Sequence, residues 1–150
     1  MYMRRRAISG FSLLEAIAMI AIIATATNLV FSLIRKPPQR LELEKFTQQL
    51  CSTLQATRTL AISRNSQALV IFNIQNKSYT SPISNEVAFP NNSYVKINVE
   101  QSNSNNPNQL LVTFYPDGSS AGADIHIRMN RLTAFINIRW LTGLTSCQVQ

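Results

Sequence analysis

The sequence predicts an α+β fold in which one long N-terminal helix packs on a mostly antiparallel sheet. An apolar run over residues 11–34 predicts the first part of that helix. Apolar residues spaced three and four apart continue the helical pattern over residues 43–61. After residue 66 the apolar residues recur at every second position, which is typical of strands with one face in water. The chain therefore changes from helix to sheet near residue 66.

The apolar run contains one ionisable side chain, that of Glu15. About 20 helical residues cross the hydrocarbon core of a bilayer, so residues 11–34 are predicted to span a membrane. A carboxylate inside such a span costs roughly 2.5–3.5 kcal/mol on insertion scales and therefore requires a partner. Arg4, Arg5 and Arg6 precede the run, which predicts a cytoplasmic N-terminus and a C-terminal domain on the opposite side of the membrane.

Residues 35–40 contain three basic residues and two prolines, and we predict that they join the membrane helix to the rest of the chain. Proline removes a helix donor and clashes with the preceding turn, so a kink or short break is expected there. An amphipathic helix then resumes, and Arg64, Asn65 and Ser66 are predicted to end it. Residues 41–150 are sufficient for one globular domain of ordinary size.

Alternating or short apolar segments predict the strands of the C-terminal domain. Turn residues separate several of them, and Pro116-Asp117-Gly118 is the strongest turn signal. The polar segment 101–109 has almost nothing to bury and is predicted to be a mobile loop. The predicted strands are residues 68–72, 78–83, 94–100, 110–115, 123–129 and 133–140.

Few residues could support catalysis or metal binding. His126 is the sole histidine, lies on the polar face of a predicted strand, and is accompanied by no nucleophile motif. Asp117 and Asp124 lack the spacing of a calcium-binding loop, and no Cys/His cluster has the spacing of zinc ligands. We therefore expect no catalytic residue, no metal site and no cofactor, and we do not expect an enzyme.

The formal net charge is +7, and the basic residues of the domain are dispersed rather than gathered in a dense run. This pattern favours a mildly basic, solvated surface. If nucleic acid were a partner, Arg128, Arg131 and Arg139 would contact its phosphates. Cys51 on the amphipathic helix and Cys147 near the C-terminus could form a disulfide in an oxidising compartment, or both could remain free thiols.

Residues 10–15, GFSLLE, follow a basic leader and resemble the class III signal of type IV pilins and type II secretion pseudopilins. The resemblance implies that residues 1–10 are a leader, which a prepilin peptidase removes by cleaving between Gly10 and Phe11. The same enzyme would methylate the new N-terminus at Phe11. Glu15 would then pair with the terminal amine of a neighbouring subunit and fix the register of assembly. The alternative is a signal anchor that carries one glutamate near its cytoplasmic end.

A second resemblance lies in FYPDGSS at residues 114–120 and WLTG at residues 140–143, which are similar to the pattern of the minor pseudopilin H and FimT-like group. It implies a pilin-like fold and a minor pseudopilin at the tip, or at the initiation, of the type II secretion pseudopilus. Such a subunit supports protein export across the outer membrane. The alternative is a FimT-like minor pilin of a type IV pilus, with a role in pilus assembly, motility or DNA uptake.

The resemblance also implies partners and a location. The partners would be other pseudopilins or pilins, bound through the N-terminal helix, together with the prepilin peptidase and the inner membrane. Nucleic acid is a partner only under the type IV pilus alternative. The chain would cross the inner membrane once, place its C-terminal domain in the periplasm, and enter a periplasmic filament after assembly.

Overall fold

The computed structural model describes residues 12–33, 38–100 and 108–150. The leader, the cleavage site and most of the predicted loop at 101–109 lie outside these residues. One compact unit contains the first helix, and a second contains all the other elements. The elements are α1 (Leu13–Leu33), α2 (Gln39–Ser63), β1 (Ala68–Asn73), β2 (Ser78–Ser81), β3 (Ser84–Ala88), β4 (Tyr94–Val99), β5 (Gln109–Phe114), β6 (Ala123–Met129), β7 (Leu132–Ile138) and β8 (Thr145–Val149).

Helix α1 exposes large apolar side chains around its circumference. Leu13 is 81% exposed, Ile20 67% and Ile23 65%. A helix that is apolar all round is typically covered by other helices or by lipid. In the part of the chain that the structure describes, neither helix combines the length and the apolar character that crossing a membrane requires. The predicted span begins at Phe11 and ends at Ile34, both of which lie outside the described residues.

Helix α2 begins directly after Pro38, whose carbonyl accepts hydrogen bonds from the amides of Leu41 (2.8 Å) and Glu42 (3.2 Å). Its buried face is the one that the three-and-four spacing predicted, with Leu43, Phe46, Leu50, Leu54 and Ala61 in the core. The buried threonines on the same face donate their hydroxyl hydrogens to carbonyls four residues earlier, so burial leaves these groups paired. The helix ends at Ser63, next to the predicted stop.

The strands form two four-stranded antiparallel sheets, with orders β3-β2-β1-β5 and β4-β6-β7-β8. The sequence predicted a mostly antiparallel sheet, and the antiparallel pairing is confirmed. The predicted strand at 78–83 ends instead at Ser81, because a turn connects it to the pairing partner Ser84. Strands β3 and β8 were missed. Most residues of β3 are exposed, and β8 has few apolar residues, so neither shows a clear apolar alternation.

The core lies where α2 meets the inner faces of both sheets. Helix α2 packs against β1, β5, β7 and β8, which belong to different sheets. Each fully buried large apolar side chain contributes roughly 1.5–3 kcal/mol relative to an exposed one. The largest of the fully buried side chains in the two sheets are those of Val70, Phe72, Tyr79, Val112, Phe114, Ile125, Ile127, Ile136 and Ile138. This shared core makes the helix and the two sheets of residues 38–150 one folding unit.

Candidate functional site

Glu15 lies in the first turn of α1, where its amide donates a hydrogen bond to the Ser12 carbonyl at 3.0 Å. Its side chain is exposed among exposed leucine and isoleucine side chains. A carboxylate in a first helical turn also interacts favourably with the helix dipole, by about 0.3–1 kcal/mol. The helix dipole acts on this carboxylate whatever surrounds it, so the dipole does not explain why Glu15 lies among exposed apolar side chains. The predicted cleavage site at Gly10 and Phe11 lies outside the described residues.

The two segments of the second resemblance are brought together by the fold. The loop that follows β5 carries residues 115–122, and the loop between β7 and β8 carries residues 139–144. The Ser120 amide donates to the Trp140 carbonyl at 2.8 Å, and the Ser120 hydroxyl donates to the Arg139 carbonyl at 3.1 Å. Residues twenty positions apart therefore form one structural unit, which we call the paired loops.

Arg58 of α2 is hydrogen-bonded to both of the paired loops. Its Nε donates to the Gly118 carbonyl at 3.0 Å and to the Thr142 carbonyl at 2.9 Å. The side chain is half-buried, although Arg58 is one of the dispersed basic residues that the sequence pattern predicts on a solvated surface. Position 58 is four residues after Leu54 and three before Ala61, so its spacing to the apolar stripe indicated an inward position.

The glycines of the two motifs are required at this contact. Gly118 has φ +85° and Gly143 has φ +61°, in the region that side chains rarely adopt. A Cβ on Gly118 would lie 2.9 Å from Nη2 of Arg58, and one on Gly143 would meet Nε of Arg58 at the same distance. A Cβ on Gly143 would also collide with the Gly118 carbonyl oxygen. The motif glycines therefore allow two backbones and one guanidinium to meet.

Asp117 stabilises the first of the paired loops. Its Oδ1 accepts hydrogen bonds from the Ser119 hydroxyl at 2.6 Å and from the Ser119 amide at 2.9 Å. These two bonds lower the pKa of the exposed Asp117 carboxyl below its ordinary value of 3.8. Asp124, the other carboxylate considered for calcium, lies on β6 and accepts a bond from Asn137 at 2.6 Å. Within the described residues, no three or more side chains are grouped so that they could hold a metal ion.

The second of the paired loops presents an apolar surface. Trp140 is 55% exposed, Leu141 66% and Leu144 55%. The strand predicted over residues 133–140 ends instead at Ile138, because the chain turns there, so Trp140 does not continue the buried face of β7. The loop backbone is fixed by the bond from the Gly143 amide to the Arg139 carbonyl at 2.8 Å. An ordered loop with an exposed tryptophan and leucines is typical of a protein contact.

The two cysteines meet between α2 and β8. The structure joins Cys51 and Cys147 as a disulfide, with their Cα atoms 6.6 Å apart. Bridged cysteines usually have Cα separations of about 4.4–6.8 Å. β8 is the edge strand of its sheet, so the bridge fixes the last strand to the helix.

The structure divides the three arginines considered for nucleic acid. Arg128 lies on β6 and Arg131 in the following turn, whereas Arg139 follows the far end of β7. Eight residues of extended strand separate Arg131 from Arg139 by roughly 26 Å. The Arg128 guanidinium stacks on Tyr94, 5.4 Å from the ring centroid. His126 is exposed and makes an edge contact with Phe135 at 4.9 Å.

An apolar helix with one carboxylate near its start, followed by a compact α+β domain, matches what the sequence resemblance implied for a pseudopilin subunit. The chain is similar to the type II secretion system protein H of Xanthomonas campestris pv. campestris, with 24% identity over 139 residues. The alignment covers 93% of this chain and 82% of that relative. No known family model matches the chain, and no solved structure matches it significantly. The predicted resemblance to the minor pseudopilin H group is confirmed by this relative.

Proposed function

We propose that this protein is a minor pseudopilin of a type II secretion system. The observation that carries the proposal is α1, an apolar helix with exposed leucine and isoleucine side chains and a single carboxylate in its first turn. Similarity to a type II secretion system protein H over 93% of the chain supports the same assignment. The subunit joins a short periplasmic filament, at its tip or at its initiation, and so supports protein export across the outer membrane.

In this proposal, the newly made subunit is first inserted in the inner membrane. Residues 11–34 cross the membrane once, with the N-terminus in the cytoplasm and the domain in the periplasm. The predominantly apolar sequence and the preceding Arg4, Arg5 and Arg6 support this topology. The disulfide between Cys51 and Cys147 also fits an oxidising compartment.

Processing prepares the subunit for assembly. The prepilin peptidase cleaves between Gly10 and Phe11 and methylates the amine of Phe11, which keeps its positive charge. In the filament, the Glu15 carboxylate pairs with the terminal amine of a neighbouring subunit. Removing one partner of a close ion pair in a low-dielectric setting costs about 3–5 kcal/mol, so the pair fixes one register of packing.

The paired loops supply a contact of the globular domain. Arg58 lies 19 residues after the start of α2, or about 28 Å along its axis, so the loops lie near the C-terminal end of this helix. Their fixed backbone presents Trp140, Leu141 and Leu144 with little conformational entropy left to lose on binding. We assign this surface to contact with another component of the pseudopilus.

Deletion of the gene tests the proposed function. Exported enzymes should accumulate in the periplasm of the deletion strain, and the wild-type gene should restore their export, while twitching motility and transformation persist. Normal export with lost twitching or transformation would contradict the proposal and favour the type IV pilus alternative.

A further inference from the structure

We propose that the globular domain rests on the anionic surface of a lipid bilayer through a basic surface at the N-terminal end of α2. This inference rests on the proposed function, because α1 must hold the chain in the membrane. We call the five residues Lys77, Tyr94, Lys96, Arg128 and Arg131 the basal surface; all five are exposed.

Hydrogen bonds and a ring contact place the basal surface at one end of the domain. The Asn130 amide group donates to Gln39 Oε1 at 2.7 Å, so the turn that carries Arg131 lies beside the first residue of α2. Arg128 stacks on Tyr94, its pairing partner across β4 and β6. The Lys77 ammonium donates to the carbonyl of Ser93, the residue before Tyr94, at 3.3 Å.

The charge of the basal surface is not neutralised by the protein. Within the described residues, Arg40 forms an ion pair with Glu44 at 2.7 Å. None of the four cations of the basal surface takes part in an ion pair there. Glu44 is thereby occupied, and Glu42 is the other carboxylate near the start of α2. The surface therefore retains an excess of positive charge that attracts an anionic partner.

The basal surface also carries apolar groups suited to a lipid interface. Tyr94 is 61% exposed and the neighbouring Ile74 is 51% exposed. Both line a cleft of about 210 Å³ together with Lys77. Tyrosine is enriched at the headgroup level of membranes, where its ring meets apolar atoms and its hydroxyl meets water.

The covalent chain identifies lipid as the occupant. Gln39 follows Leu33, the last residue of α1, by six positions, and six residues span at most about 20 Å. A domain tethered so closely to a membrane helix holds the start of α2 within reach of the headgroups. A single-stranded nucleic acid would stack its bases on exposed ring faces. Arg128 already occupies one face of the Tyr94 ring, which leaves less ring surface for such stacking.

Headgroup quenching tests the proposal with the full chain in vesicles. A Gln75→Cys variant carries a fluorophore next to the basal surface, and a Ser66→Cys variant carries it beyond the other end of α2. The native cysteines are bonded to each other, so each variant accepts one label. The vesicles contain a nitroxide-headgroup quencher in phosphatidylcholine, either alone or with one-third phosphatidylglycerol.

We expect stronger quenching at position 75 in the anionic vesicles, weakened by salt, and little change at position 66. Each basic residue at an anionic surface contributes about fivefold in binding, so Arg128→Gln with Arg131→Gln should weaken docking about 25-fold. The control pair Arg64→Gln with Arg139→Gln removes the same charge elsewhere and should leave the quenching unchanged.

Several results would overturn the proposal, and flotation of the chain with the vesicles separates a failure of membrane insertion from a failure of basal docking. If the chain fails to float with pure phosphatidylcholine vesicles, insertion of α1 and the proposed function both fail. If it floats but quenching is equal in both vesicle types, or falls equally in the control pair, only the basal docking fails. Binding of a single-stranded oligonucleotide that depends on Arg128 and Arg131, without any lipid effect, would identify nucleic acid as the occupant instead.

Discussion

The two helices differ in where their charged side chains find partners. Arg58 lies along the apolar stripe of α2, and its Nε is hydrogen-bonded by two carbonyls of the same chain. Glu15 lies on the apolar helix α1, and its carboxylate has no hydrogen-bond or ion-pair partner among the described residues. A charge satisfied internally stabilises a fold, whereas a charge left unsatisfied among apolar groups favours association. The comparison distinguishes a charge that is used within the domain from a charge that we propose is used between subunits.

Removal of the disulfide should have the largest effect on the folded domain. Changing both Cys51 and Cys147 to serine should lower the free energy of unfolding by about 2–5 kcal/mol, because the unfolded chain loses a long closed loop. Urea denaturation of the full chain in detergent, followed by circular dichroism, measures the change. An unfolding midpoint equal to that of the wild type would show that the bridge does not stabilise the domain.

Loss of the Arg58 side chain should come next. Arg58→Leu leaves the carbonyls of Gly118 and Thr142 without their donor, which should cost about 2–4 kcal/mol of unfolding free energy. Arg64→Leu is the matched control on the exposed end of the helix and should change the free energy by about 0.5 kcal/mol or less.

The same urea series compares the two arginines. Equal losses for Arg58→Leu and Arg64→Leu would contradict the internal role of Arg58. Increased hydrogen exchange at the amides of Gly118 and Gly143 in Arg58→Leu alone would locate the effect in the paired loops.

The pH dependence of the turn at Asp117 should be the smallest effect. The pKa of its carboxyl is lowered in the fold by the Ser119 bonds, so the native state favours the ionised form. This contribution is present above the ordinary value of 3.8 and is lost as the pH falls through the lower folded value. Asp117→Asn keeps an acceptor oxygen but removes the titration. As the pH falls below 3.8, the urea midpoint of this variant should therefore decrease less than that of the wild type. Identical profiles of midpoint against pH would show that Asp117 is not the source of the pH dependence.

Much of the domain could be predicted because its periodicity is strong. The α2 stripe and the alternation of β4, β6 and β7 are set by burial against one core, so sequence and structure agree there. β8 could not be predicted in this way, because its five residues show no clear apolar alternation and its bond to α2 depends on Cys51, 96 residues before Cys147. The same holds for β3, whose residues are mostly exposed.

The paired loops show what a motif alone does not specify. The residues of both motifs were identified from the sequence, but their meeting at Arg58 depends on a helix some sixty residues before Gly118. The sequence also could not decide between a disulfide and two free thiols, because spacing along the chain does not give the distance between Cα atoms. Trp140 was included in a predicted strand that ends at Ile138 in the structure, because alternation of side chains does not indicate where a strand ends.

We propose above that the Glu15 carboxylate pairs with the terminal amine of a neighbouring subunit. Zero-length carbodiimide cross-linking of assembled filaments, with isotopically mixed subunits and mass spectrometry, measures this pair directly. We predict an amide between Glu15 of this chain and residue 1 of a neighbouring mature subunit, and its absence in Glu15→Val, which should be cleaved but not assembled. Incorporation of Glu15→Val at the wild-type level, or a filament that lacks the cross-link, would contradict the account.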